Sequence, residues 1–512
     1  MDSEIRPELL ALQQRLANTL DEVRDAARRK RHAKGYRTAR ENVADLVDAG
    51  SFQEYGQLAV AAQRSRRDYE ELQTSTAADG IITGTCTINA ALVGAQRARA
   101  GVIVNDYSVL AGTQGFFHHR KLDRICELAE QHSLPLVMYT EGGGGRPGDI
   151  DVATQIAGLN IKSFSTWAAL SGVVPRIAVN NGYCFAGNAA LFGCADFCIA
   201  TRNSWIGMAG PAMIEGGGLG KHEPTAIGPI DVQEKNGVVD IVAEDEAHAT
   251  ALAQQLLAYF QGEVSEWSTV PQEALREAIP QDRRWGYPVR RIIETLADTG
   301  SFLELQRIYG RGIITGFMRL EGKPVALIAN DCQQLGGAVD AVSAEKAARF
   351  LQVCNAFAMP VVSLTDTPGF MVGPDSEAQG AVRRMSSLFL AGSRLRVPVV
   401  AIFLRKAYGL GAMAMTGGTF VAPVYAAAWP TGEFGGMGLE GAVQLGFKKE
   451  LEAVQDAEAR EQLFQQLVAQ LYEVGKASEA ASFLELDAVI DPAETRAVIL
   501  RALAVAKPRV RH

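Results

Sequence analysis

Three glycine clusters stand where bare backbone could do chemistry. TEGGGGRPGD (140–149) puts Gly142, Gly143, Gly144 and Gly145 directly after the apolar run LPLVMY (134–139); YCFAGN (183–188) carries Ala186 and Gly187; YGLGA (408–412) carries Tyr408, Gly409, Leu410, Gly411 and Ala412. Glycine lets a main-chain N–H come close to a ligand oxygen, and a helix start behind it adds positive potential. Two such groups aimed at one carbonyl would stabilise an enolate, which is oxyanion-hole chemistry. A phosphate loop is excluded at the first cluster, because no Gly-Lys-Ser/Thr follows at the required spacing. EGGGLGKH (215–222) fails as well, with Glu215 in place of the first glycine and His222 in place of the metal-binding hydroxyl. None of the clusters supplies GxGxxG. A linker is disfavoured because each cluster follows an apolar run, which leaves tight strand–helix turns without a ligand as the bland alternative.

Acid–base residues near these clusters are few. His118 and His119 open a helix-like stretch and read as structural. Glu141 and Asp366 close apolar runs and suit helix capping as well as catalysis, and Asp375 and Glu377 suit a helix start. There is no GxSxG, no HExxH and no Ser-His-Asp set. An enzyme built from this chain brings no strong base of its own.

The elements that must position the clusters come from a diverged duplication. GVIVNDYSVLAG and its continuation from Gly101 align with VALIANDCQQLGG and its continuation from Val325. At a constant offset of 225, Asn105 meets Asn330, Asp106 meets Asp331, Gly112 meets Gly337, Lys121 meets Lys346, Thr140 meets Thr365 and Gly144 meets Gly369. GIITG (80–84) recurs at 312–316, and AGSF (49–52) recurs as TGSF (299–302). Each copy reads strand (102–104, 326–329), Gly loop, helix, strand (135–139, 360–365), Gly-rich turn, helix, strand (177–179, 399–403), Gly loop. That order predicts an α/β fold with right-handed crossovers, and a ligand edge where strands hand over to helices.

The predicted organisation is an N-terminal helical segment (1–48), a first domain (49–261), a polar linker (262–295) with three prolines, and a second domain (296–512). With 47% hydrophobic and 21% charged residues, the composition is that of a globular protein. A net charge of −8 gives no global argument for nucleic acid or membrane. No apolar stretch approaches membrane-spanning length; the run at 397–404 reads as a buried strand. MDSEIRPELL lacks the basic start and apolar core of a signal peptide, which predicts a cytoplasmic protein. Seven cysteines without a CxxC pair predict neither zinc site nor disulfide framework, and Cys194 and Cys198 read as packed thiols. The basic stretch Arg28, Arg29, Lys30, Arg31 with Lys34, Arg37 and Arg40 is either a solvated helix face or a contact for phosphates.

TDTPGFMVGPDSEAQGAVRR (365–384), VPVVAIFLRKAYGLGAMAM (397–415), AAWPTGEFGGMGLEGAV (427–443) and SGVVPRIAVNNGYCFAGNAAL (171–191) resemble the carboxyltransferase β subunits of biotin-dependent acyl-CoA carboxylases. KGYRTARENVADLVDAGSF (34–52) and NDYSVLAG (105–112) extend the resemblance over nearly the whole chain. It implies two tandem crotonase-like domains, in agreement with the repeat. It also implies a reaction in which carboxybiotin, carried on a biotin carboxylase/biotin carrier partner, releases CO2. The freed biotin removes the α-proton of an acyl-CoA, and the enolate attacks CO2. Biotin thus replaces the missing base, and no metal is implied in this subunit. By the same resemblance, the N–H groups of Gly143 and Gly144 hold the acyl carbonyl, flanked by Gly142, Gly145, Ala186 and Gly187. Leu410 and Gly411 hold the biotin ureido oxygen, flanked by Tyr408, Gly409 and Ala412. Sites shared between subunits imply an obligate homo-oligomer, often a hexamer.

The sequence departs from the family at three places. Thr140-Glu141-Gly142 replaces an Asn-Asp-Ser/Gly turn, RKAYGLGAM replaces RKAYGGAYD, and 220–237 departs from the usual pattern. Met413 therefore stands at a position associated with acyl size, so the acyl group stays open. No Met-Lys-Met biotinylation motif occurs. Two other readings of the resemblance are the acyl-CoA decarboxylase subunit of a sodium pump, and a silent assembly partner of the same fold.

Overall fold

The apolar runs of the first copy become the inner strands of a seven-stranded sheet in a computed structural model that describes residues 5–152 and 159–507. Its strands are β1 (Gln53–Tyr55), β2 (Ile81–Thr87), β3 (Arg99–Asn105), β4 (Leu136–Tyr139), β5 (Arg176–Asn180), β7 (Phe197–Thr201) and β9 (Ile241–Ala243), in the order β1-β2-β3-β4-β5-β7-β9. A two-stranded parallel pair, β6 (Tyr183–Phe185) and β8 (Trp205–Gly207), stands beside it. The strands β1 to β3 pair antiparallel, and from β3 onward every neighbour is parallel. Parallel strands need crossovers, which cover both faces; β4, β5 and β7 are accordingly buried at every residue.

The second copy builds β10 (Leu303–Leu305), β11 (Ile313–Leu320), β12 (Lys323–Asn330), β13 (Val361–Thr367), β14 (Val399–Tyr408), β15 (Tyr425–Ala428) and β17 (Ala488–Val489) in that order, with β16 (Glu433–Gly435) pairing the end of β14. One continuous strand, β14, does the work of β5 and β6. The chain divides into the units 1–262 and 263–512.

The repeat persists at the level of single hydrogen bonds. Lys121 Nζ donates to the carbonyls of Ala78 (2.9 Å) and Ile81; Lys346 Nζ donates to those of Gln306 (2.9 Å) and Tyr309 (3.0 Å). Burial among carbonyls pulls the Lys121 ammonium down to about 8. The N–H of Gln114 donates to Gly144 O (2.7 Å), and that of Val339 to Gly369 O (3.0 Å). Arg40 pairs with Glu54 (2.9 Å), and Arg290 pairs with Glu304 (2.6 Å).

Two segments read as appendages belong to the units themselves. The N-terminal helices α1 (Pro7–Ala17), α2 (Asp25–His32) and α3 (Ala39–Leu46) fall in the first unit, where Val43 and Leu46 are buried. Residues 263–295, polar enough to suggest a linker, fall in the second unit. They give its core Leu275, Tyr287, Val289, Ile292 and Ile293. The helix Val289–Leu296 has its apolar residues on one face, a pattern that the prolines upstream masked.

Candidate functional site

In the first unit, β4 delivers buried Thr140 and Glu141 to the glycine turn. Gly142 bridges to Cys184: its N–H donates to Tyr183 O (2.7 Å), and its carbonyl accepts from Phe185 N (2.9 Å). A Cβ on Gly142 would stand 2.3 Å from Gly112 O, so only glycine fits. Gly143 N–H donates to Ala111 O (3.1 Å) and Gly144 N–H to Asn188 Oδ1 (3.0 Å), so both groups assigned by the resemblance to an acyl carbonyl already have protein acceptors. Gly145 bridges to Gln114. A further set of donors stands at the start of the helix Gly187–Gly193. Ala186 precedes it with φ +53° and ψ −121° and makes no side-chain cap, so the first-turn N–H groups gain no acceptor there. Gly143 and Ala186 line one cavity of about 280 Å³, with Tyr107, Tyr183, Phe185 and Met213.

The second unit presents the matching loop. Tyr408, buried, leads β14 into the helix Gly409–Met415 without a side-chain cap. Gly409 has φ +55°, Leu410 is exposed, and Gly411 and Ala412 are buried. A Cβ on Gly411 would lie 2.5 Å from the carbonyl carbon of Gly369, so this helix start is packed backbone to backbone against the turn at 367–370. The place of Gly143 is taken by Pro368, which has no N–H to offer. Half-buried Met413 lies one turn further along.

Different chemistry supports the two loops. Across the β6–β8 pair, Tyr183 faces Trp205 with the rings stacked at 4.9 Å. At the equivalent β14–β16 pair, Lys406 faces Glu433. Buried Glu433 has Arg283 Nη1 at 3.6 Å, and its charge, after burial, helps to raise the Tyr408 phenol.

The carboxylates Glu141 and Asp366 cap no helix. Arg31 of α2 meets Glu141 with both terminal nitrogens, at 3.0 and 2.7 Å. Arg405 of β14 meets Asp366 at 3.0 Å, and Asp366 also accepts from the Tyr287 hydroxyl at 2.8 Å. Burial pushes the Glu141 carboxyl up to about 7, against the opposing pull of Arg31.

The basic stretch divides: Arg28 and Arg29 pair with Asp25, Arg31 with Glu141, Arg37 with Asp45 and Arg40 with Glu54, while Lys30 and Lys34 are exposed. His118 is fully buried with Nε2 2.8 Å from Asn105 Oδ1, and His119 Nδ1 lies 3.1 Å from Ser163 Oγ; burial lowers both imidazoles. Asp375 and Glu377 lie in the first turn of the helix Pro374–Ala378. Cys198 is a packed thiol, whereas Cys194 is exposed, because it falls just past the end of the helix Gly187–Gly193. No sequence signal marked a cavity of about 950 Å³ in the second unit, lined by Val382, Phe389, Leu390 and the loop at 417–419. Among the described residues, no cluster of three His, Cys, Asp or Glu side chains could hold a metal ion, and no helix is long and apolar enough to cross a membrane.

Comparison with known proteins gives one consistent result. The carboxyl transferase domain family matches residues 30–512. The methylmalonyl-CoA carboxyltransferase 12S subunit of Propionibacterium freudenreichii subsp. shermanii is 32% identical over 492 residues, covering 93% of this chain and 89% of that one. The structure of a single-chain, multi-domain long-chain acyl-CoA carboxylase superposes with a TM-score of 0.92 at 54% identity; it covers 98% of this chain, which spans only 49% of that protein's length. The transcarboxylase 12S hexamer, solved with methylmalonyl-CoA and methylmalonic acid bound, superposes with a TM-score of 0.85 at 28% identity over 100% of this chain and 99% of that one. Both structures share with this chain the two-domain crotonase-like α/β fold.

Proposed function

From the premise that this chain belongs to the carboxyl transferase family and is an acyl-CoA carboxyltransferase, we propose how its two loops divide the reaction. The first-unit loop holds the carbonyl of an acyl-CoA, and the second-unit loop holds the ureido oxygen of biotin. The observation that carries this reading is the duplication of the loop itself. In each unit a strand end turns through positive-φ backbone into an uncapped helix start, packed against a glycine-containing turn.

In the first unit the carbonyl stands against Gly143 in the cavity, with the Gly187 N–H as donor and Gly142, Gly144, Gly145 and Ala186 fixing the backbone. In the second unit the N–H groups of Leu410 and Gly411 are the donors, with Tyr408, Gly409 and Ala412 fixing theirs. The packed, uncapped start of that helix fits an oxygen anion. Bound carboxybiotin, presented by a carrier, supplies the CO2 and the basic nitrogen that takes the α-proton. The chain's residues orient the two reactants and stabilise the developing oxyanions without reorganising, the main lever of such sites. Within the loops 183–188 and 408–412 the groups that could exchange a proton are the phenols of Tyr183 and Tyr408 and the buried Cys184 thiol.

The acyl group in this reading is long. Identity is 54% to the long-chain acyl-CoA carboxylase against 28% to the methylmalonyl-CoA-binding transcarboxylase. Met413, flexible and apolar, suits a long chain better than a charged residue would. The protein works as a hexamer, as transcarboxylase 12S does in its structure, with a biotinylated carrier as its partner. The test is an assay of the purified chain with free biotin and a panel of carboxylated acyl-CoAs of graded length. Decarboxylation that rises with chain length is the expected result. Decarboxylation of short esters alone would overturn the long-chain assignment, and none with any ester would favour a silent assembly partner. Co-purification with a biotinylated soluble subunit, rather than with membrane subunits, separates carboxylation from a sodium-pump decarboxylase.

A further inference from the structure

We infer that Arg31 and Glu141 are positioning residues for the first-unit loop, holding the 142–145 turn and the Tyr107 wall of its cavity in register. The inference rests on the assignment of that loop to the acyl carbonyl.

Glu141 immediately precedes Gly142, so its side chain fixes the direction in which the turn leaves β4. Its carboxylate is buried and held by Arg31 at 3.0 and 2.7 Å, while Arg31 Nε donates to Arg37 O at 3.0 Å. The guanidinium lies over two aromatic rings, 4.7 Å from the Tyr36 centroid and 5.6 Å from that of Tyr107. Tyr107 lines the cavity that Gly143 and Ala186 line, so one guanidinium braces both the start of the turn and the wall facing it. The Glu141 carboxylate is closely packed: a Cβ on Gly182 would fall 2.5 Å from its Oε1. The loop that carries Tyr107 has a second tie to the same segment. Arg24 meets Asp106 at 2.8 Å and Ser108 at 2.9 Å. The N-terminal residues therefore act as a strap across the ligand edge of the sheet. A bidentate Arg–carboxylate pair is the interaction best suited to this role, because it fixes an angle as well as a distance.

The second unit holds the equivalent carboxylate, Asp366, by Arg405 from its own β14. The first unit has Gly182 and Tyr183 in that stretch and imports its arginine from α2 instead.

The test compares wild type, Glu141→Gln, Arg31→Lys and the double variant in the full chain. Each single variant keeps a polar or charged group in place but loses the two-pronged geometry. The expected result is a fall in kcat of roughly 100-fold, the scale of an ångström's misplacement, with KM for the acyl-CoA changed far less. The double variant falls no further than the worse single. Wild-type kcat in both folded single variants would overturn the inference. A second reading, amide hydrogen exchange over residues 140–146, needs no activity: exchange faster by tenfold or more supports the strap, and unchanged exchange overturns it. Wild type that transfers no carboxyl group while the variants still speed exchange would sink the functional reading and leave the strap standing.

Discussion

Ala186 and Gly409 share a positive φ, +53° and +55°, at the point where strand passes to helix in each unit. Only one of them is glycine. Ala186 carries the strain that a Cβ brings there, about 1–3 kcal/mol. Ala186→Gly should therefore stabilise the first unit by about 1 kcal/mol, the strain relieved less the roughly 0.4–1 kcal/mol of entropy that glycine adds to the unfolded chain. Gly409→Ala should do the reverse, since its Cβ would come 2.9 Å from Gly436 O. Thermal unfolding of the two variants should show opposite shifts. A lower melting temperature for Ala186→Gly would mean the loop is not strained.

Gly143→Val separates architecture from chemistry. A Cβ at Gly143 meets only Thr113 Cγ2 at 3.3 Å and Ala111 O at 3.6 Å, and its φ is not left-handed. The variant should fold and assemble, yet its branch enters the cavity where the carbonyl is placed. Turnover should fall by about 100-fold or more, the scale of a lost oxyanion contact. Gly144→Ala is the control: φ +90° and a 2.7 Å approach to Ala186 Cβ should cost stability first. Retained turnover in a folded Gly143→Val enzyme would remove Gly143 from the site.

The fold was legible because its signals are local and repeated. Apolar runs at 135–139 and 399–403 read directly as β4 and β14, and a constant offset joined Lys121 to Lys346 before any contact was known. The glycine clusters were legible as well, since only glycine tolerates such approaches. What could not be read were partners distant in sequence. Arg31 and Glu141 are 110 residues apart, and Arg31 looked like one more charge in a basic run. The commitment of the Gly143 and Gly144 N–H groups to Ala111 and Asn188 depends on how three loops meet, which no spacing encodes. Residues 263–295 misled for a related reason: their prolines and charges lie on the outer face of a segment whose apolar face is core.

Glu141 makes the first unit sensitive to pH in a direction opposite to an ordinary salt-bridged carboxylate. Burial dominates, raising the carboxyl from 4.5 to about 7; Arg31 opposes the rise, while the charges of Glu246 and Asp106 add to it. Tyr36 and Tyr107 also pack on Arg31. Because the folded state holds the proton more tightly than the unfolded chain, this contribution to stability is complete below about 4.5 and is lost as pH rises through about 7. Glu141→Gln should flatten that part of the stability–pH curve. Activity should run the other way, since the two-pronged pair with Arg31 is complete only when Glu141 is ionised. An acidic limb near pH 7 in the wild-type rate profile, absent in Glu141→Gln, is the signature. A limb that persists unchanged in the variant would assign it to another group.

Arg405 and Asp366 allow the corresponding question in the second unit. Asp366 is fully buried and accepts from Lys406 N at 3.1 Å, the Tyr287 hydroxyl at 2.8 Å and Arg405 at 3.0 Å; Arg405 also donates to Trp285 O at 2.8 Å. Arg405→Met leaves a buried carboxylate with two neutral donors and no countercharge, which should cost about 3–5 kcal/mol. Asp366→Asn alone strands the guanidinium, although its link to Trp285 O remains, so its cost should be smaller. The double variant has no uncompensated charge and should lose less than the two single costs together. A double-mutant cycle by chemical denaturation would measure this coupling. Additive costs would show that the two side chains are neighbours without being a pair.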